Sequence, residues 1–195
     1  GGEWTHRWTA PTGDNPSFLL VDEVRSALHC VHGDGAEVSS FKIAGDGKLF
    51  GLGTRPTGGK NPVHLALSAG KGWVLVANYA TGSVASFPVQ ENGSLGSMAH
   101  LLELPAEAGP HKTQQRGAHP HQIVLHPSGR WFVVPDKGAD AVHTLALDEV
   151  TGALQLMSTL EVAPGSGPRH LTFRSDGNLA WVVLELSSQV LTTRF

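Results

Sequence analysis

The chain has 195 residues, 40% of them hydrophobic, and a net charge of −3, which is enough material for a substantial core in one domain or a short repeat array. No apolar run approaches the roughly 20 residues of a membrane helix, and no basic stripe indicates nucleic acid, so we expect neither partner. The N-terminal residues Gly1 to Trp4 have no initiator methionine and no signal-peptide pattern, which is typical of a fragment.

The single cysteine, Cys30, lies in the apolar run 27–31. Its isolation excludes an internal disulfide and any paired-cysteine metal site, and the simplest prediction is a cytoplasmic protein. The thiol itself is predicted to be an inert part of the core.

Residues 3–9, "EWTHRWT", alternate like an outer β-strand at the beginning of the chain. Such a strand can pair with the last strand of the chain and close a ring. If it does not, the chain is an arc of a larger assembly. Periodicity alone leaves both architectures open.

Four copies of one pattern follow, and they align on a proline without gaps. They are "NPSFLLVDEVRSALHCVHGDGAEV", "NPVHLALSAGKGWVLVANYATGSV", "HPHQIVLHPSGRWFVVPDKGADAV" and "GPRHLTFRSDGNLAWVVLELSSQV". The repeat units cover approximately residues 15–60, 61–118, 119–166 and 167–195, and the last unit is incomplete. Repetition of this kind predicts an array of similar supersecondary units.

Each unit is predicted to contain four short strands. Turn pairs such as Asp46-Gly47, Ser128-Gly129 and Asp176-Gly177 separate apolar runs, and no segment of convincing length has a helical period. The fold class is therefore all-β, a β-propeller of four-stranded antiparallel blades with about four blades present. A β-sandwich with fortuitous repetition is the alternative.

An enlarged loop separates the second and third units, between Pro105 and His119, and carries Lys112 and Arg116. Long loops lie on the surface and often bear function. A solvated insertion without a role is the alternative.

Polar residues gather at one end of the predicted hairpins. Counting outwards from the turn at Gly177 places Arg169 opposite Glu185, to within one residue of register. The same arithmetic places His121 opposite Lys137 and Val63 opposite Tyr79. The resulting polar ring contains His64, Asn78, Tyr79, His121, Asp136, Lys137, Arg169 and Glu185.

Three structural alternatives stay open for these residues. Arg169 and Glu185 would make an ordinary cross-strand ion pair. His119 and His121 could lie on one strand face and bind a metal ion, although no further ligands occur at metal spacing. His170 is predicted to face away from Arg169 and to pack between blades, and it remains a secondary candidate.

The sequence resembles the lactonase family of seven-bladed β-propellers. The resemblance rests on "NPSFLLV", "VANYATGSV", "QQRGAHPHQIVLHPSGRWFVVPDKGAD" and "GPRHLTFRSDGNLAWVVLELSS". It implies a site in the central mouth made of a histidine, an arginine and a glutamate, which match His121, Arg169 and Glu185. A further arginine would lie beyond Phe195, and an arc is then favoured over a closed four-bladed ring.

By resemblance, the expected activity is hydrolysis of 6-phosphogluconolactone to 6-phosphogluconate in the pentose phosphate pathway, with no metal or organic cofactor. His121 is the expected base, Arg169 the oxyanion or phosphate donor, and Glu185 the orienting group. A phosphorylated sugar lactone is the expected partner, while the oligomeric state stays open. The expected substrate-binding residues are His64, Asn78, Tyr79, Arg116, His119, Asp136 and His170.

Two departures from the family pattern and two other functions complete these expectations. His32 and Gly33 stand where the family usually has a carboxylate, and Pro135 and Lys137 flank Asp136 where alanine and leucine are more usual. A cycloisomerase acting on a carboxylated muconate and a non-enzymatic binding propeller are the alternatives. An incomplete arc is expected to be impaired in catalysis and prone to self-association.

Overall fold

In the computed structural model, which describes residues 2–195, all regular structure is β-strand. The first two sheets contain β1 (Pro16–Asp22), β2 (Ala27–His32), β3 (Glu37–Ile43) and β4 (Leu49–Pro56), then β5 (Pro62–Leu67), β6 (Trp73–Asn78), β7 (Ser83–Pro88) and β8 (His100–Glu103). The last two contain β9 (Val124–Leu125), β10 (Phe132–Asp136), β11 (Ala141–Leu147) and β12 (Leu154–Glu161), then β13 (Pro168–Phe173), β14 (Leu179–Leu184) and β15 (Gln189–Arg194). Residues 2–195 form no helix able to span a lipid bilayer.

Each sheet is an antiparallel meander whose strands follow chain order, and each lies inside one repeat unit. The first three sheets have four strands and the fourth has three. Consecutive sheets pack against each other, with β1 and β2 on β5, β5 on β9, and β10 on β13. This arrangement confirms the predicted all-β propeller blades.

The predicted outer strand at residues 3–9 is wrong. These residues are exposed and belong to no sheet, and β15 is the last strand of its sheet order. Instead, the segment lies along the turn between β3 and β4, where Trp8 Nε1 donates to the Asp46 carbonyl oxygen at 3.0 Å and Lys48 Nζ sits 3.9 Å from the Trp8 ring centroid. The closing strand pair of a four-bladed ring is therefore absent from residues 2–195, and the chain forms an open arc.

The core lies between neighbouring blades. Each of three buried apolar clusters joins two consecutive sheets, and Cys30 is buried as expected. The inner strand β6, covered on both faces, is buried along its whole length. On β14, by contrast, Trp181 and Val183 are 37% and 45% exposed, because no following sheet covers that face in residues 2–195.

Candidate active site

In three of the blades a β-bulge follows the proline that begins the first strand. The residue after this proline is then left out of the regular pairing between the first two strands. In the first, second and fourth blades the register shifts between the proline and the residue two positions later, so the extra residues are Ser17, Val63 and Arg169. In the third blade Pro120 bridges Asp136, and regular pairing resumes only at Val124. Bulges often re-aim a side chain beside an active site. Arg169 lies in such a bulge, and His121 occupies the equivalent position in the irregular segment that follows Pro120.

The predicted register at this end of the hairpins is wrong by two residues. The backbone N–H groups of Tyr79, Lys137 and Glu185 donate to the carbonyls of Asn61, His119 and Gly167, respectively. In the fourth blade Phe173 pairs with Ala180, which centres the turn half a residue before Gly177 and shifts the register by one. The bulge shifts it by one more, so neither Val63, His121 nor Arg169 has the expected backbone partner.

The side chains nevertheless meet at Glu185. Arg169 Nη1 lies 2.7 Å from Glu185 Oε2, and Lys137 Nζ, from the neighbouring blade, lies 3.0 Å from Oε1. Partial burial alone would raise the pKa of Glu185, but the bonds from Lys137 and Arg169 outweigh burial and hold that pKa below its usual value. Glu185 is therefore a carboxylate at neutral pH. The expected ion pair with Arg169 is present.

His121 lies next to this charged group as a neutral imidazole. Its ring makes edge contacts with Tyr79 and His170, at centroid distances of 5.4 and 5.1 Å. Burial, followed by the positive charge of Arg169, lowers the pKa of His121 to about 4. Its Nδ1 atom is buried and has no hydrogen-bond partner. A neutral imidazole has one unprotonated ring nitrogen, so this side chain can accept a proton at neutral pH.

Tyr79 and His119 form one wall beside His121. The two rings stack at 4.7 Å, and the His119 Nδ1–H donates to the Tyr79 backbone carbonyl at 2.9 Å. Burial is the main reason that the pKa of Tyr79 is raised, and the negative charge of Glu185 adds to it. The Tyr79 hydroxyl therefore keeps its proton.

Asn78 and Asp136, which the sequence places in the polar ring and the family resemblance makes substrate-binding residues, are fully buried. Asn78 Nδ2 donates to the Thr57 carbonyl at 3.1 Å. Asp136 Oδ1 accepts the backbone N–H groups of residues 119, 138 and 139, at 2.7, 2.9 and 2.9 Å. These two side chains hold the blade corners from which the neighbouring Tyr79 and Lys137 project.

The remaining predicted residues divide by their contacts. His64 is a link between blades, since its Nδ1 accepts the Ile123 N–H at 3.5 Å and its ring lies 3.9 Å from that of Phe18. His170 is exposed rather than packed between blades, because the bulge at Arg169 breaks the strict alternation. Arg116 is exposed on the enlarged loop, and its Nε donates to the Lys112 carbonyl rather than to the cluster.

Sequence reasoning missed Gln115, which anchors the enlarged loop to the site. Gln115 is 1% exposed, and its Nε2 donates to the Lys137 carbonyl at 3.1 Å. Next to Lys137, a Cβ at Gly138 would collide with the Gly117 carbonyl oxygen. A glutamine within a polar stretch gives no sequence signal that it is buried.

The family of this chain follows from comparison with known proteins. The family model described as "Lactonase, 7-bladed beta-propeller" matches residues 2–195. The chain belongs to this lactonase family. A 6-phosphogluconolactonase from Bacillus subtilis is 31% identical over 185 residues, which cover 93% of this chain and 52% of that protein.

Two further relatives agree in sequence and in fold. A 6-phosphogluconolactonase from Formosa agariphila is 29% identical over 90% of this chain and 52% of its own length. The structure of the periplasmic gluconolactonase of Pseudomonas aeruginosa superimposes with a TM-score of 0.86 at 29% identity, over 96% of this chain and 55% of that chain. This lactonase-family chain spans about half the length of the curated relatives it matches.

The polar cluster of this family member combines imidazole rings with cationic and anionic side chains. No group of three or more His, Cys, Asp or Glu side chains in residues 2–195 is arranged to hold a metal ion. Arg169 and Lys137 give two positive charges against the one negative charge of Glu185. The histidines that face these groups have lowered pKa values, so Arg169, Lys137 and Glu185 together carry one excess positive charge at neutral pH, above the buried Asp136.

The imidazole of His121 is expected to be neutral at neutral pH. In a pH titration followed by NMR of the imidazole Cε1–H signals, we expect His121 to stay neutral down to about pH 5 and to titrate with a pKa of about 4. The reference is the ordinary imidazole pKa of 6.5. A His121 signal that titrates near that value would contradict a desolvated imidazole that faces the positive charge of Arg169.

Proposed function

We propose that the protein of which this chain is a part hydrolyses 6-phosphogluconolactone to 6-phosphogluconate. The observation that carries the proposal is a neutral imidazole, His121, beside an arginine whose partner Glu185 is already shared with a second cation. The similarity to the 6-phosphogluconolactonases of B. subtilis and F. agariphila supports the same reaction. In this proposal His121, Arg169 and Glu185 are the catalytic residues.

The reaction needs one proton acceptor and one oxyanion donor. His121 takes a proton from a water molecule while the oxygen of that water attacks the lactone carbonyl carbon. Arg169 donates hydrogen bonds to the oxyanion that forms. When the ring C–O bond breaks, protonated His121 returns the proton to the departing hydroxyl. Water is added across the ester bond, and the enzyme returns to its initial protonation state.

The excess positive charge favours an anionic substrate. Burial is the largest cause of the low pKa of His121, and a phosphate bound near Arg169 offsets only the further lowering by the positive charge of Arg169. Substrate binding then raises the basicity of His121 towards that of an ordinary imidazole. In this way an anionic lactone strengthens the base that acts on it, whereas a neutral lactone does not.

The other predicted site residues take two roles in the proposal. Tyr79, His119 and His170 line the mouth around His121 and contact the sugar. His64, Asn78 and Asp136 position these walls from buried or inter-blade sites, and Arg116 provides a second phosphate contact from the exposed loop. The proposed compartment is the cytoplasm. Because the similar gluconolactonase of P. aeruginosa is periplasmic, this part of the proposal is tested by subcellular fractionation.

The proposal is tested by kinetics on the full-length protein. We expect it to hydrolyse 6-phosphogluconolactone with a kcat/KM at least about tenfold above that for the unphosphorylated gluconolactone, because a charge-assisted hydrogen bond is lost with the phosphate. His121→Gln should lower kcat by about 10²–10⁴-fold, the usual contribution of a general base. Exposed His6→Gln is the matched control.

Two other outcomes would replace the proposal. Turnover of a carboxylated muconate with no lactone hydrolysis would indicate a cycloisomerase. Stoichiometric binding of the phosphorylated product with no turnover of any lactone would indicate a binding propeller.

A further inference from the structure

Lys137 is the most buried positive charge in the described mouth, and it lies opposite the one carboxylate that Arg169 contacts. The residue is 5% exposed, and its Nζ lies 3.0 Å from Glu185 Oε1. Lys137 and Glu185 occupy the same position in consecutive repeats, seventeen residues after Pro120 and Pro168. The ion pair therefore joins the third and fourth blades at the mouth.

The backbone around Lys137 is fixed from three directions. Its N–H donates to the His119 carbonyl, its own carbonyl accepts from Gln115, and the preceding Asp136 carboxylate caps the two N–H groups that follow. If this backbone were mobile, the Lys137 ammonium group could move into solvent. Because the backbone is fixed, the ammonium group stays buried and reaches only Glu185. Burial of an unpaired charge is unfavourable, so the contact with Glu185 compensates for it.

Lys137 and Arg169 bind different oxygens of the Glu185 carboxylate, and this limits how Arg169 pairs with it. A guanidinium carries five N–H donors and tends to bind a carboxylate through two of them. Arg169 uses only Nη1 for Glu185, at 2.7 Å, since Lys137 occupies the other oxygen. Its Nε and Nη2 make no hydrogen bond within residues 2–195, and its side chain is 38% exposed. The Nε and Nη2 atoms of Arg169, which carry three N–H donors between them, thus remain available at the surface of the mouth.

We propose that Lys137 is a positioning residue of this site: it binds one oxygen of Glu185 and thereby keeps the remaining donors of Arg169 free for an anionic group of the substrate. The statement about the substrate rests on the proposed lactonase function, but the hold on Glu185 does not. The titratable and charged groups that face this pair are Arg169, His170, Tyr79, His121 and, beneath the corner, Asp136.

The test compares K137M, which removes the charge, and K137R, which keeps it, with K71M in the full-length protein. Lys71 is an exposed lysine in the turn between β5 and β6, so K71M removes the same charge far from the mouth. The first readout is the pKa of the Glu185 carboxyl by ¹³C NMR. Losing Lys137 should raise that pKa, because one of the two positive charges that lower it is gone even when Arg169 takes over the vacated oxygen, and K137R should restore it.

The second readout is the pH profile with KM for 6-phosphogluconolactone. If ionised Glu185 is required, the acid limb of kcat/KM in K137M moves to higher pH, since the carboxylate now protonates at higher pH. KM should rise about tenfold as Arg169 turns two donors to Glu185. Thermal unfolding is measured first, and K137Q replaces K137M if the latter does not fold.

The outcomes separate the two proposals. A Glu185 pKa and a KM that are the same in K137M as in K71M would overturn the role of Lys137. A wild-type protein without lactone hydrolysis would overturn the proposed function, while the Glu185 titration would still decide whether Lys137 holds the carboxylate. In that case ¹⁵N NMR of the Arg169 Nε–H, with added inorganic phosphate, shows whether those donors bind an anion in wild type and lose it in K137M.

Discussion

Replacing Arg169 with methionine is expected to lower kcat/KM for 6-phosphogluconolactone by about 10²–10³-fold, the cost of removing one preorganised oxyanion donor. The loss should fall on kcat, because the oxyanion exists only after water has attacked the carbonyl, and also on KM, because the donors that bind the anionic group of the substrate are lost as well. Stability should change little, since Glu185 keeps its bond to Lys137 at 3.0 Å and no buried charge is left unpaired.

Arg174→Met is the matched control for this variant. Arg174 lies in the same blade, and its Nη2 is paired with Asp176 Oδ2 at 2.6 Å in an exposed turn. Surface pairs of this kind contribute little to stability. Steady-state kinetics of the full-length protein decides the matter: if Arg169→Met retains the activity of Arg174→Met, Arg169 has no catalytic role.

The blades could be predicted from the sequence because their signals are local. A proline and an apolar residue three positions later recur in register in all four units, and in the third and fourth units Gly129 and Gly177 adopt the positive φ that a tight turn requires (73° and 76°). Residues 3–9 have the alternation of a strand but no such turn, and their outcome depends on a partner edge elsewhere in the molecule. Alternation alone therefore mispredicted them.

The site could be predicted only to the level of which residues converge. Arg169 and Glu185 were identified by hairpin counting, yet the bulge that presents Arg169 has no signature in the residue types around it. The contact between Lys137 and Glu185 joins two blades, and no pattern within one repeat specifies how neighbouring blades are aligned. Burial of Asn78 and Asp136 likewise depends on the loops that cover them. The catalytic roles themselves stay predictions.

Leu65 and Leu19 provide a matched pair for measuring what one blade gains from the next. Both leucines stand three residues after the opening proline, but Leu65 is 1% exposed, in the cluster between the first two blades, whereas Leu19 is 56% exposed. In this chain we expect Leu65→Ala to lower the free energy of unfolding by about 2–5 kcal/mol, the range for a buried leucine. Leu19→Ala should cost less than about 1 kcal/mol, as for other surface substitutions.

Urea denaturation of both variants checks this expectation. Both variants replace leucine with alanine in a first strand, so the change in strand propensity largely cancels when their losses are compared. Equal losses in this chain would mean that another surface already covers Leu19, as in a self-associated arc, and the loss would then depend on protein concentration. In a longer form of the protein, a further blade packed on β1 would bury Leu19 as the first blade buries Leu65. The loss in free energy of unfolding caused by Leu19→Ala should then rise to that caused by Leu65→Ala, because a neighbouring blade would cover both leucines.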